Sequence, residues 1–77
     1  MIEELASVVL TTDISERGLT AGDIGTVVMV HQKGLGYTVE FMTLDGETIA
    51  VVTLAAEQVR AIQANEIAHA RQFVQAS

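Results

Sequence analysis

Apolar and polar residues alternate through the first sixty positions in short runs that are typical of β-strands. The runs are rich in β-branched residues and are separated by glycine-containing or polar segments. A period of two places successive side chains on opposite faces of a strand. The pattern predicts five short strands, at residues 7–12, 25–31, 37–41, 48–54 and 59–61.

The strictest alternation lies in the third predicted strand. Tyr37, Val39 and Phe41 are expected to face the core, and the residues between them to face solvent. The preceding run, Val27–Val30, is apolar throughout. That continuity indicates either burial on both faces or a bend that moves the inward face midway along the strand.

Two connections can also be predicted. Asp45-Gly46 tolerates the two positive φ values of a two-residue hairpin turn, so a hairpin is expected there. The segment 13–21 has mixed polarity and contains a glycine, which predicts a long loop. Its two large apolar residues, Ile14 and Leu19, are expected to fold back onto the core.

The order of these elements is typical of an SH3-like barrel. A long first connection precedes a three-stranded meander, and a helical turn at residues 55–58 precedes a short last strand. Closing the sheet into a barrel hides strand edges that would otherwise invite aggregation. The sequence therefore predicts a mainly β protein: a small SH3-like antiparallel β-barrel of about five strands over residues 1–61, followed by a C-terminal amphipathic α-helix within 62–77.

The predicted C-terminal helix begins at the possible cap Asn65 and runs from Glu66 to Gln75, in a segment rich in helix formers. An isolated helix of this length is marginal in water, so it needs a packing surface. That surface is either an open end of its own barrel, a second subunit or a different protein; disorder is the remaining alternative. At about 100° per residue one narrow face, predicted to be a protein interface, is shared by Ile67, Ala70, Phe73 and Val74.

Charge and composition narrow the possible partners. The 77 residues include ten acidic and four scattered basic residues, for a net charge of −6. Because nucleic-acid binding depends on neutralising phosphates, a nucleic-acid partner is not expected. The longest apolar runs have four residues, against the ~20 needed to span a bilayer, so no membrane partner is expected. Acidic residues near the N-terminus are unlike a signal peptide, which predicts a cytoplasmic protein.

The residues that could carry chemistry are dispersed. His31 and His69 have no neighbouring metal ligands in sequence, and there is no cysteine. The serines lack the strand–turn–helix context of a nucleophile, and Asp45 and Glu47 flank an exposed turn. No catalytic residue, cofactor or metal site is therefore predicted, and the protein is not expected to be an enzyme.

Several segments together resemble a small bacterial family. They include Leu5–Leu19, Ala21–Val28, Tyr37–Phe41, Asp45–Thr48 and the stretch from Leu54 to Arg60. The ordered series of turns is similar to the domain-of-unknown-function family numbered 4926, over roughly residues 5–61. The resemblance implies an SH3-like domain and no established activity, and it implies a neutralising or accessory role beside a larger, toxin-like protein. This chain has no proline, whereas the family commonly has prolines near Ser15 and Ala55.

The leading hypothesis is a non-enzymatic protein-interaction module, an acidic neutralising (antitoxin-like) partner of another protein. Self-association through the C-terminal helix is the second possible form of partnership. Two alternatives stay open: a nucleic-acid- or ribosome-associated SH3-like barrel, and an accessory subunit that completes the site of an enzyme.

Overall fold

The computed structural model of the chain describes residues 1–74. All five predicted strands are confirmed, and they form one antiparallel sheet with the order β4-β3-β2-β1-β5. Two short 3₁₀ turns interrupt the connections. The elements are β1 Ser7–Leu10, a first 3₁₀ turn Ser15–Arg17, β2 Ile24–His31, β3 Gly36–Met42, β4 Thr48–Ala55, a second 3₁₀ turn Ala56–Gln58, and β5 Val59–Ala61.

The core lies on one face of this sheet and is aliphatic with two aromatic rings. In β3, Tyr37, Val39 and Phe41 are all buried, which confirms the predicted alternation. The long β1–β2 connection contributes Ile14 and Leu19, which pair with each other and are 7% and 2% exposed. The loop thus closes one side of the core, as its two apolar residues predicted.

A bulge in β2 explains its unbroken apolar run. Val27 pairs with Val39 and Met29 pairs with Thr38, so Val28 has no partner opposite it. The extra residue shifts the inward face by one position. Val27 is fully buried while Met29 is 51% exposed, and Val30 packs against the core. Of the two alternatives for this strand, the bend is therefore correct.

The β3–β4 hairpin forms, but its turn has three residues and not two. The Thr43 amide donates to the Glu47 carbonyl at 2.9 Å, and the Gly46 amide donates to the Thr43 carbonyl at 2.9 Å. Gly46 has φ +94, whereas Asp45 is not among the residues with positive φ. One left-handed residue after a tight turn gives a three-residue loop with a bulge, in which only the glycine needs the unusual φ.

The prediction of a closed barrel is wrong. Within residues 1–74, β4 pairs only with β3 and β5 pairs only with β1, so both outer edges of the sheet stay open. β5 has three residues, which span only ~10 Å of strand. β5 uses its few backbone hydrogen bonds to pair with β1. The second 3₁₀ turn connects β4 to β5 along the chain, but within residues 1–74 these two edge strands do not pair with each other.

The prediction of a C-terminal α-helix is also wrong. Residues 62–74 contain one tight turn at Ala64-Asn65 and are otherwise irregular, and Gln75, the predicted last helical residue, lies outside the described residues. The Glu66 carboxylate accepts from the Gln63 amide at 2.6 Å and from Arg60. Those contacts hold a local turn in the place where the first helical turn was expected.

Candidate functional site

The segment of residues 62–74, called the tail below, returns across the end of the sheet where β2 begins and β3 ends. Together with the sheet and two loops it lines an open groove of about 770 Å³, called the end groove. The wall opposite the tail combines apolar side chains with two carboxylates, those of Asp23 and Asp45. Residues lining it from the folded region include Leu19, Asp23, Ile24, Phe41, Met42 and Ile49.

Asp23 is the polar anchor of the end groove. It follows Gly22, whose φ of +97 makes the tight turn before β2, and it is held by Thr20, whose amide donates to the carboxylate at 2.9 Å. Arg71 reaches it from the tail, with Nε 2.8 Å from one carboxylate oxygen and Nη2 2.6 Å from the other. Nη2 also donates to the Gly18 carbonyl at 3.0 Å.

The electrostatics of this pair favour the charged state of both groups. Partial burial raises the pKa of Asp23, but hydrogen bonds from Arg71 and Thr20 lower it by more, so the pKa lies below its ordinary value. The hydrogen bond to Asp23 correspondingly raises the pKa of Arg71. The carboxylate is therefore ionised at neutral pH and is arranged to receive a cation in a fork geometry.

Phe73 is the apolar anchor of the tail. A Cβ atom built on Gly18 would lie 2.9 Å from Cε1 of the Phe73 ring, so the ring rests directly on the bare backbone of that glycine. Gly18 has φ +71 and ends the first 3₁₀ turn. The residue therefore serves two purposes: it reverses the chain without strain and leaves room for an aromatic ring.

The four predicted interface residues do not share a helical face. Phe73 is half-buried, and it lines the end groove together with Ala70 and Val74. Val74 is nevertheless 79% exposed, and Ile67 is 93% exposed and does not line the groove. Three of the four residues thus line one groove, but the segment that carries them is irregular and not helical.

Asp23, Arg71 and Gly18 were not predicted as site residues. Asp23 and Arg71 are 48 positions apart, and no local spacing rule connects two opposite charges at that distance in sequence. The one signal in the sequence is the pair of glycines around Asp23, which predicts a tight turn and no partner for the carboxylate. The contact between Arg71 and Asp23 forms because the tail packs back onto the sheet. The predicted helix gives no indication of that packing.

A second ion pair anchors the start of the tail. The Arg60 guanidinium binds the Glu66 carboxylate through two hydrogen bonds, at 2.9 and 2.7 Å. The hydrogen bond from Arg60 is the main reason that the pKa of Glu66 falls to about 2. This pair is solvent-exposed. It fixes the position of the turn after β5 and does not form part of the end groove.

The solvent-facing side of the β2–β3–β4 sheet, called the outer face below, is a second surface of interest. Its large apolar residues are between 38% and 51% exposed, and polar residues of β3 separate them: the Thr38 hydroxyl lies 2.7 Å from His31 Nε2 and 3.0 Å from the Thr53 hydroxyl. The apolar members of the outer face are Val28, Met29, Met42 and Val51.

Two further observations concern chemistry and membranes. Within residues 1–74, no three side chains of the His, Cys, Asp or Glu type are grouped so that they could hold a metal ion. Over the same residues, no helix has the length and apolar character required to cross a bilayer.

These features define a class: a small all-β module built on one open antiparallel sheet, with a groove at one end between the sheet and an irregular C-terminal segment. The family model described as Domain of unknown function (DUF4926) matches residues 4–61. Because the match covers well over half of the 77 residues, the chain belongs to this family, and the resemblance found in its turns is confirmed. No curated protein and no solved structure shows significant similarity to the chain.

Proposed function

We propose that this protein is a non-enzymatic protein-interaction module that binds a basic partner in the cytoplasm. The observation that carries the proposal is the distribution of charge. Of the ten acidic and four basic residues, only Glu66 and Arg71 follow residue 61, so the folded region carries the whole net charge of −6. A surface of one sign attracts a partner of the opposite sign and accelerates their association.

The outer face supports the same proposal. Met29, Met42 and Val51 are each about half exposed, although large apolar residues gain most free energy when they leave water. Protein interfaces typically combine such an apolar centre with a polar or charged rim. In its specific form, the proposal is that of a neutralising, antitoxin-like or accessory module for a larger basic protein.

The test is recovery of a defined complex followed by its reconstitution. The tagged full chain is purified from the native cell, partners are identified by mass spectrometry, and each is purified for calorimetric titration. We expect a stoichiometric complex with a basic protein. The Kd of this complex should rise at least tenfold between about 50 and 300 mM salt, since salt screens the charges at the rim of the interface. A salt-independent complex, or none, would contradict the proposal.

A matched pair of variants tests the surface. Met29→Asp with Val51→Asp removes apolar contacts from the outer face, and we expect it to weaken the complex at least tenfold. Leu35→Asp is the control, because Leu35 is 70% exposed in the turn between β2 and β3 and lies outside both that face and the end groove. Circular dichroism must show an unchanged β spectrum in both. Recovery of RNA in place of a protein, released with a steep salt dependence, would favour the nucleic-acid alternative.

A further inference from the structure

The tail is held against Asp23 and Gly18, beside the end groove, as an external peptide would be held. Beyond the Arg60–Glu66 pair at its start, the tail is held by two side chains: Arg71 on Asp23 and the Gly18 carbonyl, and Phe73 on the Gly18 backbone. Every other residue from 62 to 74 is exposed to solvent. The contacts of the tail thus follow a short pattern, a cation followed two positions later by an aromatic ring.

The tail fills only part of the available space. On the far side of Phe73 and Val74 lies a further depression of about 490 Å³, adjoining the end groove at the β3–β4 hairpin. Glu16, Arg17 and Glu47 line this depression, so it carries two carboxylates and one guanidinium. The tail offers one basic residue, Arg71, and that residue is already bound to Asp23. The depression therefore keeps an excess of negative charge for which the tail supplies no further cation.

We propose that the end groove, together with the Asp23 carboxylate and the Gly18 backbone beside it, binds a segment of the basic partner with Arg or Lys two residues before an aromatic residue, and that the tail covers Asp23 and Gly18 in cis until that segment displaces it. The inference rests on the proposed function, because it names the site and the partner segment of the same module. A second copy of this chain is the weaker occupant, since its tail brings the same single cation and its folded region brings the same net charge of −6, which repels its own kind.

Displacement is feasible because the tail is tethered and weakly anchored. A tethered segment has an effective concentration in the millimolar range, so it excludes weak competitors and yields to a segment with more contacts. Removing its two anchors should therefore raise the affinity of the groove for an external peptide. Arg71 and Phe73 lie outside the buried core cluster, so their replacement should leave the sheet folded.

The experiment compares the full-length wild type with the full-length variant Arg71→Ala, Phe73→Ala, using Ile67→Ala as the matched tail control. Each is used to select from a phage-displayed random heptapeptide library, and the selected peptides are synthesised with fluorescein for anisotropy titration. A peptide of residues 64–74 serves as a defined probe. Unchanged circular dichroism establishes that the variants are folded.

We expect selected peptides to share Arg or Lys two residues before Phe, Tyr or Trp, and to bind the double variant at least tenfold more tightly than the wild type or Ile67→Ala. Adding Asp23→Asn to the double variant should weaken binding at least tenfold. If the double variant does not fold, saturating peptide on the wild type should abolish the nuclear Overhauser contact between Phe73 and Gly18. No enriched pattern, a pattern without a cation, or indifference to Asp23→Asn would overturn the inference.

Two outcomes separate this inference from the proposed function. A stoichiometric basic partner whose affinity is unaffected by Asp23→Asn and by the tail anchors would overturn the inference and leave the proposed function standing. Concentration-dependent dimers that the Arg71→Ala, Phe73→Ala variant abolishes would overturn it in favour of a second copy as the occupant.

Discussion

Arg71 binds Asp23 through a two-pronged hydrogen-bonded ion pair, with Nη2 2.6 Å from one oxygen and Nε 2.8 Å from the other. Fork-to-carboxylate pairs fix orientation as well as distance, because both atoms of each group are engaged. The same guanidinium also donates to the Gly18 carbonyl. One side chain therefore sets the position of the tail relative to both the β1–β2 connection and the start of β2.

The tail should undock in acid. Although partial burial raises the pKa of Asp23, the hydrogen bonds from Arg71 and Thr20 lower it below the ordinary value of 3.8. A depressed pKa in the folded state gives a contribution that is complete above the unfolded pKa and is lost as pH falls through the lower, folded value. We expect the Phe73–Gly18 nuclear Overhauser contact to persist above pH 3.8 and to weaken below it. In Asp23→Asn the contact should be weak at every pH, and an unchanged contact in that variant would contradict this account.

Gly18 and Phe73 should be energetically coupled. Gly18→Ala places a Cβ 2.9 Å from Phe73 Cε1 and also strains a residue at φ +71, which costs about 1 kcal/mol for a residue with a Cβ. In the Phe73→Ala background only the strain remains. Chemical denaturation of the four proteins in this cycle should give a coupling free energy of about 0.5 kcal/mol or more. Strict additivity would show that the ring does not rest on this glycine in solution.

The position of the tail could not be predicted from its own residues, and the reason is geometric. Helix formers dominate residues 66–75, but a short helix is marginal without a docking surface. Arg71 and Phe73 are two residues apart: a helix would point them in nearly opposite directions, whereas an extended chain can direct both to one side. A chain that is not helical lets both side chains reach the groove. This conformation is favoured only because Asp23 and Gly18 are there to be contacted, and both are far from the tail in sequence.

The sheet could be predicted because its information is local. Alternation identified the buried face of β3, and the apolar run of β2 indicated either burial on both faces or a bend, of which the Val28 bulge provides the bend. Barrel closure could not be predicted in the same way, because it depends on whether two distant edges meet. β5 has three residues. The pattern of their side chains does not indicate whether the outer edge of the strand pairs with another strand.

Gly25 should be the glycine least tolerant of substitution. A Cβ at this buried position would lie 2.6 Å from Val39 Cγ1 and 2.8 Å from Phe41 Cε1, inside the packed core. Overpacking of this kind costs about 1–3 kcal/mol. Gly25→Ala should therefore lower the midpoint of urea denaturation with an unchanged slope. Gly46→Ala is the control: its φ is +94 but nothing lies within 4 Å, so its cost should be limited to backbone strain of about 1 kcal/mol. A smaller loss for Gly25→Ala than for Gly46→Ala would contradict this packing.

Ala68→Pro should be tolerated, and this substitution separates the observed tail from the predicted helix. Proline in the interior of a helix costs about 3 kcal/mol, because it removes a hydrogen bond and its ring meets the preceding turn. In the structure Ala68 is exposed, and within residues 1–74 its amide makes no backbone hydrogen bond. We expect the free energy of unfolding to change by less than about 0.5 kcal/mol.

Thr38→Pro provides the positive control for proline at a position that does need its amide. Thr38 lies in β3, between β2 and β4, and a proline there deletes a donor from a central strand. That variant should lose most of its β signal by circular dichroism. If Ala68→Pro instead destabilised the protein by about 3 kcal/mol, residues 66–74 would be helical in solution. Arg71 and Phe73 could then not reach Asp23 and Gly18 together, and the end groove would stand open in the free protein.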